Sequence, residues 1–286
     1  ARYCGVDFKK IIVGNGSDEI ISLAINAFAE KGDKIITLVP GYSMYQVCAK
    51  IAGVQVMRVA LDESFEPSLQ QILSAADEKT KLLMFCSPNS PVGVPVKLES
   101  IEGMLASFEG IVFVDEAYFE FYGQSALPLL EKYENLIVCR TLSKAWGLAS
   151  LRVGYAVANE KIIEAMRKIK PPYNVGGLVQ SLALCAIENN FAKMTKDVEK
   201  IKAQRAELSS KLRELGLEVF PSVANFVLVK FPQGFDSRKV QESLAGKGVV
   251  VRNCSAFPML DNCIRITVGT PVENQEVVSL IGGELK

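Results

Sequence analysis

The sequence predicts an α/β protein, with a mainly parallel, doubly wound sheet in a large domain and a smaller C-terminal α+β domain. The first observation is a set of short apolar runs rich in β-branched residues, at 34–39, 82–86, 111–114 and 136–139. The second is that helical patterns separate these runs, most clearly at 17–30, 42–51 and 98–108. The third is a change of pattern after Pro171 and Pro172, where long helical periodicity replaces the alternation.

The apolar runs have the length and composition of strands that are buried on both faces. A Gly, Pro or Asn lies near each of them and marks a turn. Parallel sheets of this kind bind ligands at the carboxyl ends of their strands. Upstream of the runs, residues 1–5 resemble the end of a helix already in progress, and we expect further residues before Ala1.

The last third of the chain has a different organisation. Residues 178–215 predict one or two long amphipathic helices with a charged outer face. After them the pattern predicts strands at 225–230, 249–252 and 264–268 and helices at 237–245 and 272–281. We therefore expect a large domain at 1–215, which includes the long interdomain helix, and a small domain at 216–286.

The net charge of zero argues against partners that bind mainly to a protein of strong net charge. Lys+Arg and Asp+Glu both number 32, so we expect neither a nucleic acid nor a membrane as partner. No apolar run approaches the roughly 18–20 residues of a membrane span, and no signal segment opens the chain. The seven cysteines are scattered and odd in number, which favours reduced thiols in a cytoplasmic protein.

The complete absence of histidine removes whole classes of chemistry. It excludes Ser-His and Cys-His nucleophiles and every histidine-ligated metal site, and we expect no metal. Acid–base chemistry must then fall to Lys, Asp, Glu, Tyr or Cys.

Polar side chains follow two of the predicted strands. Lys144 comes soon after the run at 136–139, where a partly buried amine can attack an aldehyde and form an imine. Asp115 follows the run at 111–114, where a carboxylate can keep a pyridine nitrogen protonated, and Tyr118 lies three residues further on. Taken alone, the lysine could be a surface residue and the aspartate a helix cap.

Residues 14–19 (GNGSDE) precede a predicted helix and suit an anion. Glycines let the backbone approach a ligand, and free N–H groups at a helix start bind phosphate. Arg152 is a second candidate for phosphate binding. The segment is also compatible with an ordinary helix cap at Ser17.

The order of these motifs along nearly the whole chain resembles the fold type I pyridoxal-phosphate aminotransferases, and among them the histidinol-phosphate aminotransferases. VDEAY at 114–118 and the stretch at 140–155 are the most specific, and the others corroborate them. The matching stretches are GNGSDEII (14–21), PGYSMY (40–45), SPNSPVG (87–93), VDEAYFEF (114–121), RTLSKAWGLASLRVGY (140–155), ANF (224–226) and IRITVGT (264–270).

The resemblance implies a role for each matching residue at the cofactor, pyridoxal 5′-phosphate. Lys144 would carry it as a Schiff base and move the proton between the substrate α-carbon and C4′. Asp115 would pair with the pyridinium nitrogen, Tyr118 would meet the phenolic oxygen, and Tyr42 would stack on the ring. The residues implied to hold its phosphate are Ser17 and Asp18 through backbone amides, together with Thr141, Ser143 and Arg152.

The resemblance also implies a substrate site and reveals two departures from the family. Arg265 would bind the substrate carboxylate or phosphate, assisted by Arg252. The family motif PNNPTG is PNSPVG here, so Ser90 stands where an asparagine contacts the phenolic oxygen. About the first quarter of a family member, which supplies a tyrosine to the neighbouring subunit, has no counterpart in this chain.

The resulting expectation is amino transfer from histidinol phosphate to a 2-oxo acid, 2-oxoglutarate, in a homodimer. Three alternatives remain open at this point: an aromatic amino acid aminotransferase, a decarboxylase of the threonine-phosphate type on the same scaffold, and a truncated, inactive remnant. The context GLASLRVGY around Arg152 favours transamination over decarboxylation. Ser90 and the missing first quarter favour the remnant, whereas four intact motif residues oppose it: Lys144, Asp115, Tyr118 and Arg152.

Overall fold

The computed structural model describes residues 1–285 and contains two sheets. The larger has seven strands in the order β1-β7-β6-β5-β4-β2-β3. Strand β7 is antiparallel to its neighbours β1 and β6, and all other pairs are parallel. The strands are β1 (Ile11–Asn15), β2 (Lys34–Val39), β3 (Gln55–Ala60), β4 (Thr80–Cys86), β5 (Ile111–Asp115), β6 (Leu136–Thr141) and β7 (Val153–Ala158).

Helices cover both faces of this sheet. Helices α1 (Ser17–Phe28), α2 (Met44–Ile51) and α6 (Glu160–Ile169) pack on one face, where Ile20, Ile21 and Ile163 are fully buried. Helices α3 (Leu69–Ala75) and α4 (Leu98–Ser107) pack on the other face. The central strands are therefore buried on both sides, and the predicted doubly wound, mainly parallel sheet is confirmed.

The smaller sheet has four antiparallel strands in the order β10-β11-β9-β8. They are β8 (Glu218–Val219), β9 (Phe226–Lys230), β10 (Arg252–Asn253) and β11 (Cys263–Thr267). The remaining helices are a single turn α5 (Phe119–Tyr122), α7 (Gly177–Asn189), α8 (Phe191–Glu214), α9 (Ser237–Gly246) and α10 (Pro271–Glu284). The second α+β unit is thus present as predicted, and the boundary between 215 and 216 stays a prediction.

Helix α8 contacts both sheets. Its first half packs through Met194 and Val198 into the apolar cluster beside β7. Its second half packs through Leu208 and Leu212 into the core of the smaller sheet. Within residues 1–285, no helix is long and apolar enough to cross a membrane.

The stretch at 178–215, predicted as one or two long helices, is two helices, α7 and α8, with Asn190 between them. Other predicted elements differ from the observed ones. The strand predicted at 249–252 is wrong, because pairing with β11 begins only at Arg252. Residues 1–5 contain a short 3₁₀ turn, Arg2–Cys4, which Gly5 ends in a left-handed conformation.

Candidate active site

The carboxyl ends of β4, β5 and β6 lie side by side and open into one cleft of ≈ 90 Å³. All ten residues predicted to bind the cofactor line it, together with Cys86 and Ala117. The ten are Ser17, Asp18, Tyr42, Ser90, Asp115, Tyr118, Thr141, Ser143, Lys144 and Arg152.

Asp115 ends β5 at the base of this cleft and is 2% exposed. Its Oδ1 accepts the backbone N–H of Ala117 at 3.0 Å, and its Oδ2 accepts the hydroxyl of Tyr45 at 3.0 Å. Burial raises the pKa of Asp115 to about 6, because desolvation disfavours the carboxylate more than these hydrogen bonds stabilise it. A cationic partner in the cleft would therefore stabilise the ionised form.

The next residue, Glu116, forms a buried ion pair with Arg140 on β6. Nε and Nη2 of Arg140 lie 3.0 and 2.9 Å from Oε2 of Glu116. The backbone N–H of Ala126 donates to the other carboxylate oxygen at 2.6 Å. Both carboxylate oxygens of Glu116 therefore have hydrogen-bond donors. The ion pair holds the end of β5 against β6 and so fixes the position of Asp115 relative to the loop that carries Lys144.

Lys144 projects into the cleft from the loop after β6. Its ammonium lies 5.4 Å from the ring centroid of Tyr118, which is itself 5% exposed. Desolvation, and then the nearby cation of Arg265, lower the pKa of Lys144. Burial also raises the pKa of Tyr118 to about 12, so its hydroxyl stays a neutral donor at physiological pH.

The other end of the cleft is built from backbone. Gly16, with φ 80°, precedes α1, and no side chain caps the first turn of this helix. A Cβ at Gly16 would lie 2.4 Å from Nη2 of Arg152, and one at Gly154 would lie 2.3 Å from the backbone nitrogen of Ser17. The close approach leaves a cradle of free helix N–H groups beside a guanidinium, which suits a phosphate.

Asp18 connects the two walls of this cradle. Its Oδ2 lies 3.2 Å from Nη2 of Arg152, and its Oδ1 accepts the hydroxyl of Tyr42 at 2.9 Å. On the remaining side, the hydroxyl groups of Thr141 and Ser143 are 2.9 Å apart. The polar groups assigned to the phosphate therefore converge on one end of the cleft.

Arg265 and Arg252 do not line the cleft but lie next to it on the smaller sheet. They are direct partners across β10 and β11. Nη1 of Arg265 donates to the hydroxyl of Ser90 at 3.0 Å, and the Arg265 guanidinium lies 4.8 Å from the ring centroid of Phe226. The buried Nε of Arg265 has no hydrogen-bond partner within residues 1–285. Ser90, 7% exposed, thus joins the arginine to the cleft.

A larger cavity of ≈ 470 Å³ lies elsewhere, between β1 and α7. Its walls are mostly apolar, with Ile11, Val153 and Leu184 among them. The smaller cleft is the better candidate for chemistry, because it gathers a buried carboxylate, an amine with a lowered pKa and a phosphate cradle.

The cleft fits pyridoxal 5′-phosphate on its own chemistry. An amine, a buried carboxylate and a phosphate cradle are the groups that this cofactor requires, and each lies on a different wall. Sequence reasoning missed three contributors: Cys86, Ala117 and Tyr45. Ala117 acts through its backbone and Tyr45 through a partner 70 positions away, so no local pattern indicates them.

Comparison with known proteins identifies the family of this chain. The family model "Aminotransferase class I and II" matches residues 1–281. The chain is 41% identical over 283 residues to the histidinol-phosphate aminotransferase of Caldanaerobacter subterraneus subsp. tengcongensis, covering 98% of this chain and 79% of that one.

Two solved structures share the fold. The histidinol-phosphate aminotransferase from Clostridium acetobutylicum superposes with a TM-score of 0.90 at 26% identity, over 99% of this chain and 86% of that one. The enzyme from Sinorhizobium meliloti, solved in complex with pyridoxal-5′-phosphate, gives a TM-score of 0.90 at 24% identity, over 100% and 79% of the two chains. With its family match across nearly the whole length, the chain belongs to the class I and II aminotransferases and is a pyridoxal-phosphate-dependent transaminase.

Proposed function

We propose that this aminotransferase transfers the amino group of histidinol phosphate to 2-oxoglutarate, with Lys144 as the residue that carries the cofactor covalently. The observation that carries the proposal is the arginine pair of the smaller sheet. Arg252 lies directly opposite Arg265, and neither takes part in an ion pair formed within residues 1–285.

Like charges directly opposite each other on neighbouring strands repel. An anion placed between Arg252 and Arg265 would relieve this repulsion and would also meet the unpaired Nε of Arg265. A phosphate monoester carries close to two negative charges and can accept hydrogen bonds from both guanidinium groups. This charge count favours a phosphorylated amine over an aromatic amino acid, whose carboxylate carries one charge.

When bound, pyridoxal phosphate supplies an aldehyde that condenses with amines and a ring that withdraws electrons from the substrate. In the proposal, Asp115 holds a proton on the ring nitrogen, Tyr118 donates to the phenolic oxygen, and Tyr42 stacks on the ring. Ser90, which lines the cleft, would face the same oxygen. The phosphate would be held by the backbone amides of Ser17 and Asp18 and by the side chains of Thr141, Ser143 and Arg152.

Lys144 has the acid–base role. Because its pKa is lowered, a larger fraction of Nζ is neutral near pH 7 than for a free lysine. A neutral Nζ can accept the proton from the substrate α-carbon and later return a proton. With no histidine in the chain, Lys144 is the cleft residue best suited to this transfer.

The test is glutamate formation by the purified protein with its cofactor. Histidinol phosphate plus 2-oxoglutarate should give glutamate, whereas histidinol, which lacks the phosphate, should react far more slowly. Faster reaction with phenylalanine would indicate an aromatic aminotransferase instead. Release of CO₂ from threonine phosphate without 2-oxoglutarate would indicate the decarboxylase.

The same resemblance implies a homodimer. One observation supports it: α7 buries only Ala183, whereas Leu178, Leu182 and Leu184 are exposed at 75%, 46% and 55%. Apolar helix surface of this extent is typical of subunit contacts. We propose that a second copy of this chain covers it.

A further inference from the structure

Tyr45 is a buried polar side chain that the proposed mechanism does not use. It lies in the first turn of α2, is 1% exposed, and donates its hydroxyl to Oδ2 of Asp115 at 3.0 Å. Its ring packs edge-on against Tyr42 at 5.6 Å and against Phe113 at 6.3 Å. These contacts on both sides keep the hydroxyl directed at Asp115.

The carboxylate of Asp115 has two hydrogen-bond donors within residues 1–285. One is the backbone N–H of Ala117 at Oδ1, and the other is Tyr45 at Oδ2. An ionised carboxylate can accept about four hydrogen bonds, so acceptor capacity remains for a ligand in the cleft. Tyr45 is the only side chain among these donors, and it sets the orientation of the carboxylate about its Cβ–Cγ bond.

We propose that Tyr45 is a positioning residue that keeps Asp115 ionised and oriented toward the ring nitrogen of the cofactor. The inference rests on the role of Asp115 in the proposed function. Hydrogen bonding to the charged form of an acid stabilises it, and the bond from Tyr45 opposes the rise in the pKa of Asp115 that burial causes. Burial raises the pKa of Tyr45 itself far above its ordinary value, so it remains a neutral donor.

Other titratable groups also face Asp115, from each element packed against it. Burial raises the pKa of each neighbouring thiol and phenol, so these groups stay neutral near pH 7. Lys144 and Asp18 are the charged neighbours, and they are unchanged in every variant below. The neutral neighbours besides Tyr45 are Cys86, Cys139, Tyr42 and Tyr118.

The test is the binding of pyridoxamine 5′-phosphate, measured by equilibrium dialysis and absorbance over about pH 5–9. This probe has no aldehyde and so cannot attach to Lys144. Its affinity should fall as the pH drops and Asp115 takes up a proton. In Tyr45→Phe the midpoint of this fall should move up by about one to two pH units, a ten- to hundredfold change in proton affinity, as expected for one lost hydrogen bond to a charged acceptor.

A matched control removes a hydroxyl of the same kind. Tyr155 is 8% exposed on β7, and its hydroxyl has no hydrogen-bond partner within residues 1–285. Tyr155→Phe should therefore leave the midpoint in place. Replacing Tyr45 by 3-fluorotyrosine keeps the ring and makes the hydroxyl a stronger donor, so the midpoint should move down.

The outcomes distinguish a failure of the proposed role of Tyr45 from a failure of the proposed role of Asp115. If Tyr45→Phe has the same pH midpoint as the parent protein, the proposed role of Tyr45 is wrong. It is also wrong if Tyr155→Phe shifts the midpoint as much as Tyr45→Phe does. A fluorinated Tyr45 that moves the midpoint up also overturns it. If Asp115→Asn retains the full pH dependence, the proposed role of Asp115 fails instead, and the inference fails with it.

Discussion

Removing the guanidinium of Arg265 should damage substrate use far more than cofactor binding. Arg265 is partly buried, donates to Ser90 at 3.0 Å and packs at 4.8 Å from the ring of Phe226. It does not line the cofactor cleft. A charge-assisted contact of this kind is worth about 2–4 kcal/mol, so Arg265→Ala should lower kcat/KM for histidinol phosphate by roughly 30- to 1,000-fold.

Arg252→Ala, the partner in the proposed arginine pair, should have a smaller effect on the same step. Arg252 is exposed, so its contribution is screened by water and should be about 1 kcal/mol or less, roughly fivefold. Steady-state glutamate formation gives kcat/KM, and cofactor dissociation is followed separately by absorbance. The cation of Arg265 also lowers the pKa of Lys144, so Arg265→Ala should raise that pKa. A large change in cofactor dissociation with unchanged kcat/KM would refute the assignment of Arg265 to the substrate.

Four further predictions follow from the site and its surroundings. Lys144→Ala should abolish the imine absorbance and multiple turnover without lowering the unfolding temperature, and appreciable residual turnover would contradict its role. Ser90→Asn should tighten cofactor binding and lower the pKa of the imine nitrogen, as absorbance titration would reveal; an unchanged or higher value would mean that residue 90 does not face the cofactor. Burial raises the pKa of Glu120 to about 7, so between about pH 4.5 and 7 the folded form binds more protons than the unfolded form. The free energy of unfolding should therefore fall as the pH rises through this range. In Glu120→Gln, thermal unfolding should show a weaker dependence of stability on pH. Sedimentation should give a dimer, and a fully active monomer would contradict the proposed assembly.

The sequence predicts the central part of the fold well because its strands are continuously apolar. Four strands are buried on both faces, and each therefore appears in the sequence as a continuous apolar run: β2, β4, β5 and β6. Strands β1 and β3 were not predicted, because they lie at the two sheet edges and many of their side chains are exposed. Strand β7 was not predicted although it is buried, because its sequence VGYAVA contains a glycine and two alanines and only two β-branched residues. Strand β10 was misplaced because its two residues are defined by pairing with β11 and not by their own pattern.

The sequence predicts those residues of the candidate site that stand in a recognisable motif next to a strand. Lys144, Asp115 and Arg152 stand in motifs at strand ends, and the cleft brings all three together. The buried pair between Glu116 and Arg140 was not predictable, since it joins two strands through a contact 24 positions apart. The same holds for the bond between Ser90 and Arg265, which joins the two sheets. Such contacts depend on tertiary packing that no local pattern specifies.

The close approach of backbone at Gly16 and Gly154 has a consequence for how this enzyme can evolve. A side chain at Gly154 would collide with the backbone of Gly16 and Ser17, which cannot move away. A side chain at Gly16 would be strained at its positive φ and would push the Arg152 guanidinium out of the cradle. We therefore expect substitutions at these two glycines to weaken cofactor binding. The residues proposed to bind the substrate, Arg252 and Arg265, are long side chains on the smaller sheet, and each can be replaced without the other. Descendants of such a protein can change the amine that they accept while keeping the same cofactor.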